Sequence, residues 1–200
     1  MKRRAFLKQS TILSAGIMAM PQLAFGKTPK IGLQLYTLRD IIAKDVPGVL
    51  TQVAKAGYNE VEMYGLSAGN TFFGKTVKEI SALLKANNLT SPGGHYMPDK
   101  FLFENGNGED VKNICDVANE LGNRYVIIPW LSAEKRKNID QYKALAERLN
   151  KAGEICKKAN LQLAYHNHDF EFEKVELTNE AIIAFITTTG KMNVKIDGMD

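Results

Sequence analysis

Apolar positions along this chain recur in two periods that take turns. Short apolar runs, the strand signal, alternate with stretches whose apolar residues fall three and four apart, the helix signal. Lys30–Leu38 (KIGLQLYTL) reads as a first strand. Asp45–Gly57 reads as a helix, with Asp45 as its cap, Pro47 in its first turn and Gly57 as its stop. Tyr58–Tyr64 is a second strand, and Thr76–Asn88 a helix with Val77, Ile80, Leu83 and Leu84 at helical spacing. Leu89–Tyr96 is a short third strand and turn, Gly108–Gly122 a helix, and Arg124–Trp130 a fourth strand. A long helix from about Ile139 to Asn160 leads into a fifth strand, Leu161–His168. Thr178–Thr189 is a last helix and Met192–Asp200 a sixth strand.

Strands begin near residues 30, 58, 89, 124, 161 and 192, about one strand–helix unit apart. No glycine-rich GxGxxG follows the first strand, which counts against a dinucleotide-binding sheet. Gly69–Thr76 (GNTFFGKT) lacks the spacing of a phosphate loop. The expected class is therefore α/β, a (β/α)8 barrel rather than an open sheet. Such a barrel has eight strands. Six are legible, so the expectation is a barrel truncated after the sixth strand, with residues 27–200 as its six N-terminal units.

Residues 1–26 stand apart. A basic start, the apolar run Ile12–Met20 and small residues near Ala24 and Gly26 make an export signal. Arg3–Lys8 (RRAFLK) resembles the twin-arginine type, which implies the twin-arginine export machinery as a partner and a periplasmic or otherwise exported protein. The apolar run is too short for a confident membrane span. The leader also explains the net charge of +4: it holds Lys2, Arg3, Arg4 and Lys8 and no acid, leaving 22 basic against 22 acidic residues. A neutral remainder gives no footprint for nucleic acid. The basic runs Glu134–Lys137 and Cys156–Lys158 read as solvated faces or loops. Cys115 and Cys156 read as small buried hydrophobes, with a disulfide left open.

In a barrel of this kind the chemistry sits at the C-terminal ends of the strands. Gln34, Tyr36 and Arg39 end the first strand, Glu60 and Glu62 lie on the second, and His95 ends the third. Trp130 ends the fourth, and the fifth runs into His166, Asn167, His168, Asp169 and Glu171. Asp197 and Asp200 lie on the sixth. His166 and His168 are two apart and so share a strand face, where they could bind a divalent metal or a sugar. Carboxylate and imidazole ligands suit Mn, Zn, Co or Mg. Glu62 on a core strand needs a partner, because a buried carboxylate is costly alone. Trp130 and Tyr36 could each line a sugar or fill the barrel mouth.

IGLQLYTLRD, GYNEVEMYG, GGHY and YHNHDFEF, in that order, resemble the xylose isomerase-like TIM-barrel superfamily, nearest its sugar phosphate isomerase/epimerase branch. The resemblance covers Lys30–Asp200. It implies a TIM barrel with one divalent metal, held by Glu, Asp, His and Glu from strands five to eight. Carried over by position, strand five corresponds to the His166–His168 region and strand six to Asp197 or Asp200, with His166 and Asp200 as the favoured metal ligands. The strand-five glutamate common in isomerases is missing: His166 stands about there and Glu171 follows, which makes these two the acid–base candidates. Tyr36, Glu62, His95, Trp130 and His168 become candidates for binding substrate. The ligands of strands seven and eight have no counterpart in the sequence. The implied activity is metal-dependent isomerisation or epimerisation, or a related lyase reaction, of a sugar or cyclitol, by removal of a proton next to a carbonyl. The alternative is a non-catalytic carbohydrate-binding protein on a degenerate or truncated barrel.

Overall fold

The computed structural model describes residues 30–172. The leader, the Thr178–Thr189 helix and the Met192–Asp200 strand lie outside the described residues. Strand β1 (Gly32–Gln34) is shorter than its apolar run, because Leu35–Leu38 winds into a 3-10 turn. Helices α1 (Arg39–Ile42) and α2 (Val46–Lys55) follow. Asp45 caps α2 by accepting from the Gly48 amide at 2.9 Å, and Val46, Leu50 and Val53 form its buried stripe. Strand β2 (Glu60–Met63) comes next.

The chain then does what its periods do not announce. It folds three two-residue strands, β3 (Leu66–Ser67), β4 (Thr71–Phe72) and β5 (Lys75–Thr76), into a small antiparallel sheet. Gly69–Thr76 is thus hairpin rather than phosphate loop. Phe73 and Gly74 form its tip, with φ of 53° and 75°. Positive φ at both central residues is what a tight two-residue hairpin needs.

Helix α3 (Val77–Ala86) starts at a capping box: Thr76 caps the Glu79 amide, and Glu79 reaches back to the Thr76 amide at 2.8 Å. These bonds hold the Glu79 carboxyl below its ordinary value. Strand β6 (Thr90–His95), the short helix α4 (Asp99–Phe103), helix α5 (Glu109–Glu120) and strand β7 (Tyr125–Ile128) complete the middle of the chain. Helix α6 (Ile139–Lys158) is capped by Asn138 and delivers strand β8 (Gln162–Tyr165).

Strands β1, β2, β6, β7 and β8 pair in that order, all parallel. Sequence neighbours are sheet neighbours, joined by helical crossovers, as in a wound barrel wall. Val61, Met63, Val126, Ile128, Leu163 and Tyr165 are buried together with the apolar stripes of the helices.

One polar knot lies inside this core. Asn123 accepts from the Tyr96 hydroxyl and donates to the Ser91 carbonyl at 2.6 Å and the Ser91 hydroxyl oxygen at 3.1 Å. The Tyr96 ring lies across Gly94, where a Cβ would meet it at 2.9 Å. That contact accounts for the second glycine of SPGGHY, and it fixes the backbone on which His95 stands.

Candidate active site

Alternation along the strands sets which residues face the barrel axis. The outward positions are the buried ones. The alternate positions Gln34, Glu62, His95, Ile127 and Ala164 are half-buried, and register aligns Gln34 with Glu62, His95 with Ile127, and Ile127 with Ala164. His166 extends the β8 ladder by donating its amide to the Ile128 carbonyl at 3.0 Å, which keeps it in the same inward row as Ala164.

Three of these side chains meet. Glu62 Oε1 lies 3.0 Å from His95 Nε2 and accepts a hydrogen bond from the Gln34 amide. Gln34 Nε2 also lies 3.3 Å from His95 Nε2. One imidazole nitrogen thus faces an acceptor and a donor. Protonated, it donates to Glu62; unprotonated, it accepts from Gln34. Glu62 finds the partner that its burial requires. Gln34, a strand-end residue to which the sequence assigned no role, completes the group. The His166 ring follows, 5.3 Å from that of His95 between centroids.

Beyond His166 the strand parity ends. The His168 ring lies 4.8 Å from His166, edge-on to Trp130 at 4.7 Å and stacked on Phe170 at 5.4 Å. Trp130 is itself edge-on to Phe170 at 5.0 Å and stays 43% exposed. The Arg136 guanidinium lies 3.4 Å from the Phe170 ring centre and 5.7 Å from that of Trp130, steered by a bond from its Nε to the Leu131 carbonyl. The solvated reading of Glu134–Lys137 fails at this residue: half-buried Arg136 covers the aromatic wall, its guanidinium lying against the rings.

Glu171 sits in the 3-10 turn Phe170–Phe172. Its carboxylate accepts from the Tyr165 hydroxyl and from the His168 amide at 2.7 Å. Burial first, and then this bond, push the Tyr165 phenol far up, so it remains a donor. Glu171 therefore ties the His168 backbone to the Tyr165 side chain of β8.

The two histidines separate accordingly. His166→Gln is expected to leave the thermal midpoint unchanged, because His166 is exposed. His168→Gln removes a ring from the aromatic stack and should cost about 1–2 kcal/mol in urea unfolding. Equal stability of the two variants would contradict the placement.

Tyr36 lies on the opposite rim, 53% exposed, 5.2 Å edge-on from Tyr64 and 4.9 Å from the Arg39 guanidinium. Tyr64 contacts Phe73 at 5.1 Å, so the small sheet exists here as a brace for the rim. Burial, and after it Tyr36, push the Tyr64 phenol up. Tyr64 and Phe73 carry no sequence signal beyond being aromatic.

Asp200, the second predicted metal ligand, lies outside the described residues. Among the described residues no three His, Cys, Asp or Glu side chains group as a metal-holding set. The described donors alone do not make a metal centre. Among the same residues no helix is long and apolar enough to cross a membrane.

The family model for the xylose isomerase-like TIM barrel matches residues 50–196. A sugar phosphate isomerase/epimerase from Parabacteroides distasonis is 28% identical, with a TM-score of 0.69 over 88% of this chain and 65% of its own. A second sugar phosphate isomerase/epimerase from that organism is 23% identical, with a TM-score of 0.67 over 83% of this chain and 66% of its own. A xylose isomerase-like TIM barrel protein from Mycobacterium smegmatis, in complex with magnesium, is 18% identical, with a TM-score of 0.54 over 82% of this chain and 62% of its own. The chain thus spans just under two thirds of the length of each of these relatives. No curated protein matches the sequence.

Proposed function

We propose a sugar isomerase or epimerase, and the premise is that the chain belongs to the xylose isomerase-like TIM barrel family. The observation that carries the proposal is the Glu62–His95 contact of 3.0 Å at the strand ends, with Gln34 on one side and His166 on the other. Isomerisation and epimerisation both need a base that takes a proton from the carbon beside a carbonyl. Both also need an acid that returns it, to the neighbouring carbon in isomerisation and to the opposite face of the same carbon in epimerisation. A carboxylate and an imidazole in contact can hold that proton between them. Gln34 supplies a neutral donor that stabilises either the ionised Glu62 or the unprotonated His95 nitrogen. We therefore give the acid–base work to Glu62 and His95, with His166 next to them. Glu171, engaged by Tyr165 and the His168 amide, holds the loop.

Trp130 and Tyr36 offer apolar walls on either rim, suited to the C–H face of a sugar or cyclitol ring. Arg39 and Arg136 each lie against one of these walls. The proposal includes a divalent cation, Mn, Zn, Co or Mg, with His166 and Asp200 among its ligands. The magnesium complex of the M. smegmatis relative supports this part. It also includes export by the twin-arginine route, supported by Arg3–Lys8. Export favours a substrate without phosphate.

The test takes the complete protein from its host through a panel of free and phosphorylated aldoses, ketoses and cyclitols. The measurement is product formation before chelation, after chelation, and after each metal is restored. Turnover of a free sugar that is lost on chelation and regained with metal is expected. Binding of sugars with no turnover under any metal would replace this reading with the carbohydrate-binding one.

A further inference from the structure

The chain has two cysteines, and the fold brings them together. Cys115 lies on α5 and Cys156 on α6, 41 residues apart, with their sulfurs 3.7 Å apart. Both are buried, at 2% and 0% exposure, in the contact between the two helices. As separate small hydrophobes, two cysteines have no reason to choose each other among the many apolar residues of this core.

We infer that Cys115 and Cys156 are a disulfide pair, which closes when the protein meets an oxidising thiol–disulfide environment. Three observations lead there. Each thiol is the other's direct neighbour. The sulfur separation is about 1.6 Å longer than a disulfide bond. The leader directs the chain toward a compartment where disulfides persist. This last point rests on the export reading above; the geometry does not.

The reaction is ordinary exchange with a small disulfide such as glutathione disulfide. One cysteine thiolate attacks a donor sulfur, forming a mixed disulfide and releasing one donor thiol. The second cysteine thiolate attacks the protein sulfur of that mixed disulfide and releases the other donor thiol. Two protein thiols become one disulfide, and the donor disulfide becomes two thiols, so electrons and protons balance. Because both sulfurs are buried, exchange passes through an opening of the α5–α6 contact. Oxidation of the folded protein should be slow, and the closed bond should then resist reduction.

The place of the bond gives it a consequence. Helix α5 leads into β7, whose end carries Trp130, and α6 leads into β8, whose end carries His166. A bond between them ties the supports of both sides of the aromatic wall and closes a long loop in the unfolded chain.

The complete protein, prepared reduced, is unfolded and refolded in a glutathione–glutathione disulfide buffer, alkylated, and digested without reductant. A peptide pair joined through Cys115 and Cys156 is expected. The melting midpoint of that product should lie about 10 °C above that of the same protein refolded in dithiothreitol, and the midpoint of Cys115→Ala should be the same after either refolding. Cysteines recovered alkylated or glutathionylated, with no joined pair, overturn the inference even if the variant fails to fold. Cell fractionation reads export separately. A protein found in the cytosol that still forms the joined pair in glutathione buffer supports the disulfide pair and rejects export.

Discussion

Glu62→Gln is expected to lower the turnover of the complete protein by about 10²–10⁴-fold without changing its fold. Glutamine keeps the length of the side chain and can still accept from Gln34, so the partly buried site keeps a satisfied neighbour. It loses the charge that faces His95 at 3.0 Å and the ability to hold a proton. The loss should fall on kcat, because a base acts in the transition state and not in ground-state binding. A variant with higher KM and normal kcat would make Glu62 a substrate contact only. His95→Gln should show the same pattern, and the double variant should be little worse than either single one, because the two residues act as one unit.

The largest expected loss of stability lies elsewhere, at Asn123. Asn123→Ala strands the Tyr96 hydroxyl and removes two contacts to Ser91, all inside the core. Two buried polar groups left without partners cost about 3 kcal/mol together, measurable as a drop in the urea midpoint at unchanged m-value. Tyr96→Phe is the control. It keeps the ring over Gly94 and strands only the Asn123 carbonyl oxygen, so about 1–2 kcal/mol should be lost. If Asn123→Ala and Tyr96→Phe cost the same, the Ser91 contacts carry nothing.

The long elements were legible because their periods extend over enough residues to be read. Helix α2 begins next to Asp45, its predicted cap, and ends short of Gly57, its predicted stop; α3, α5 and α6 begin within one residue of their predicted starts and end two residues short of their predicted ends. Strands came out shorter than their apolar runs, since an apolar residue just past a strand end still packs on the core, as Leu35 does in its 3-10 turn. The β3–β5 sheet could not be read, because a two-residue strand has no period. Its tip is set by the positive φ of Phe73, a residue that carries no such signal.

The site divides in the same way. Glu62 was legible because charge on a core strand demands an explanation, and His95 and Gln34 supply it. Strand parity placed His166 correctly, since its amide still joins the ladder. His168 lies further past the end of β8, yet its ring still neighbours that of His166, at 4.8 Å, while also stacking on Phe170. Arg136 was hidden inside a charged run, because sequence gives the sign of a side chain and not the ring it lies on. The proximity of Cys115 and Cys156 depends on helix packing alone and has no local signature.

The central claim is that Glu62 and His95 move a proton at the carbon beside a sugar carbonyl. The direct measurement is ¹H NMR of the complete protein with its sugar substrate in D₂O. Incorporation of solvent deuterium at that carbon by the wild type, lost in Glu62→Gln, is the predicted result. Turnover with no deuterium entering the sugar, or undiminished incorporation by Glu62→Gln, would contradict it.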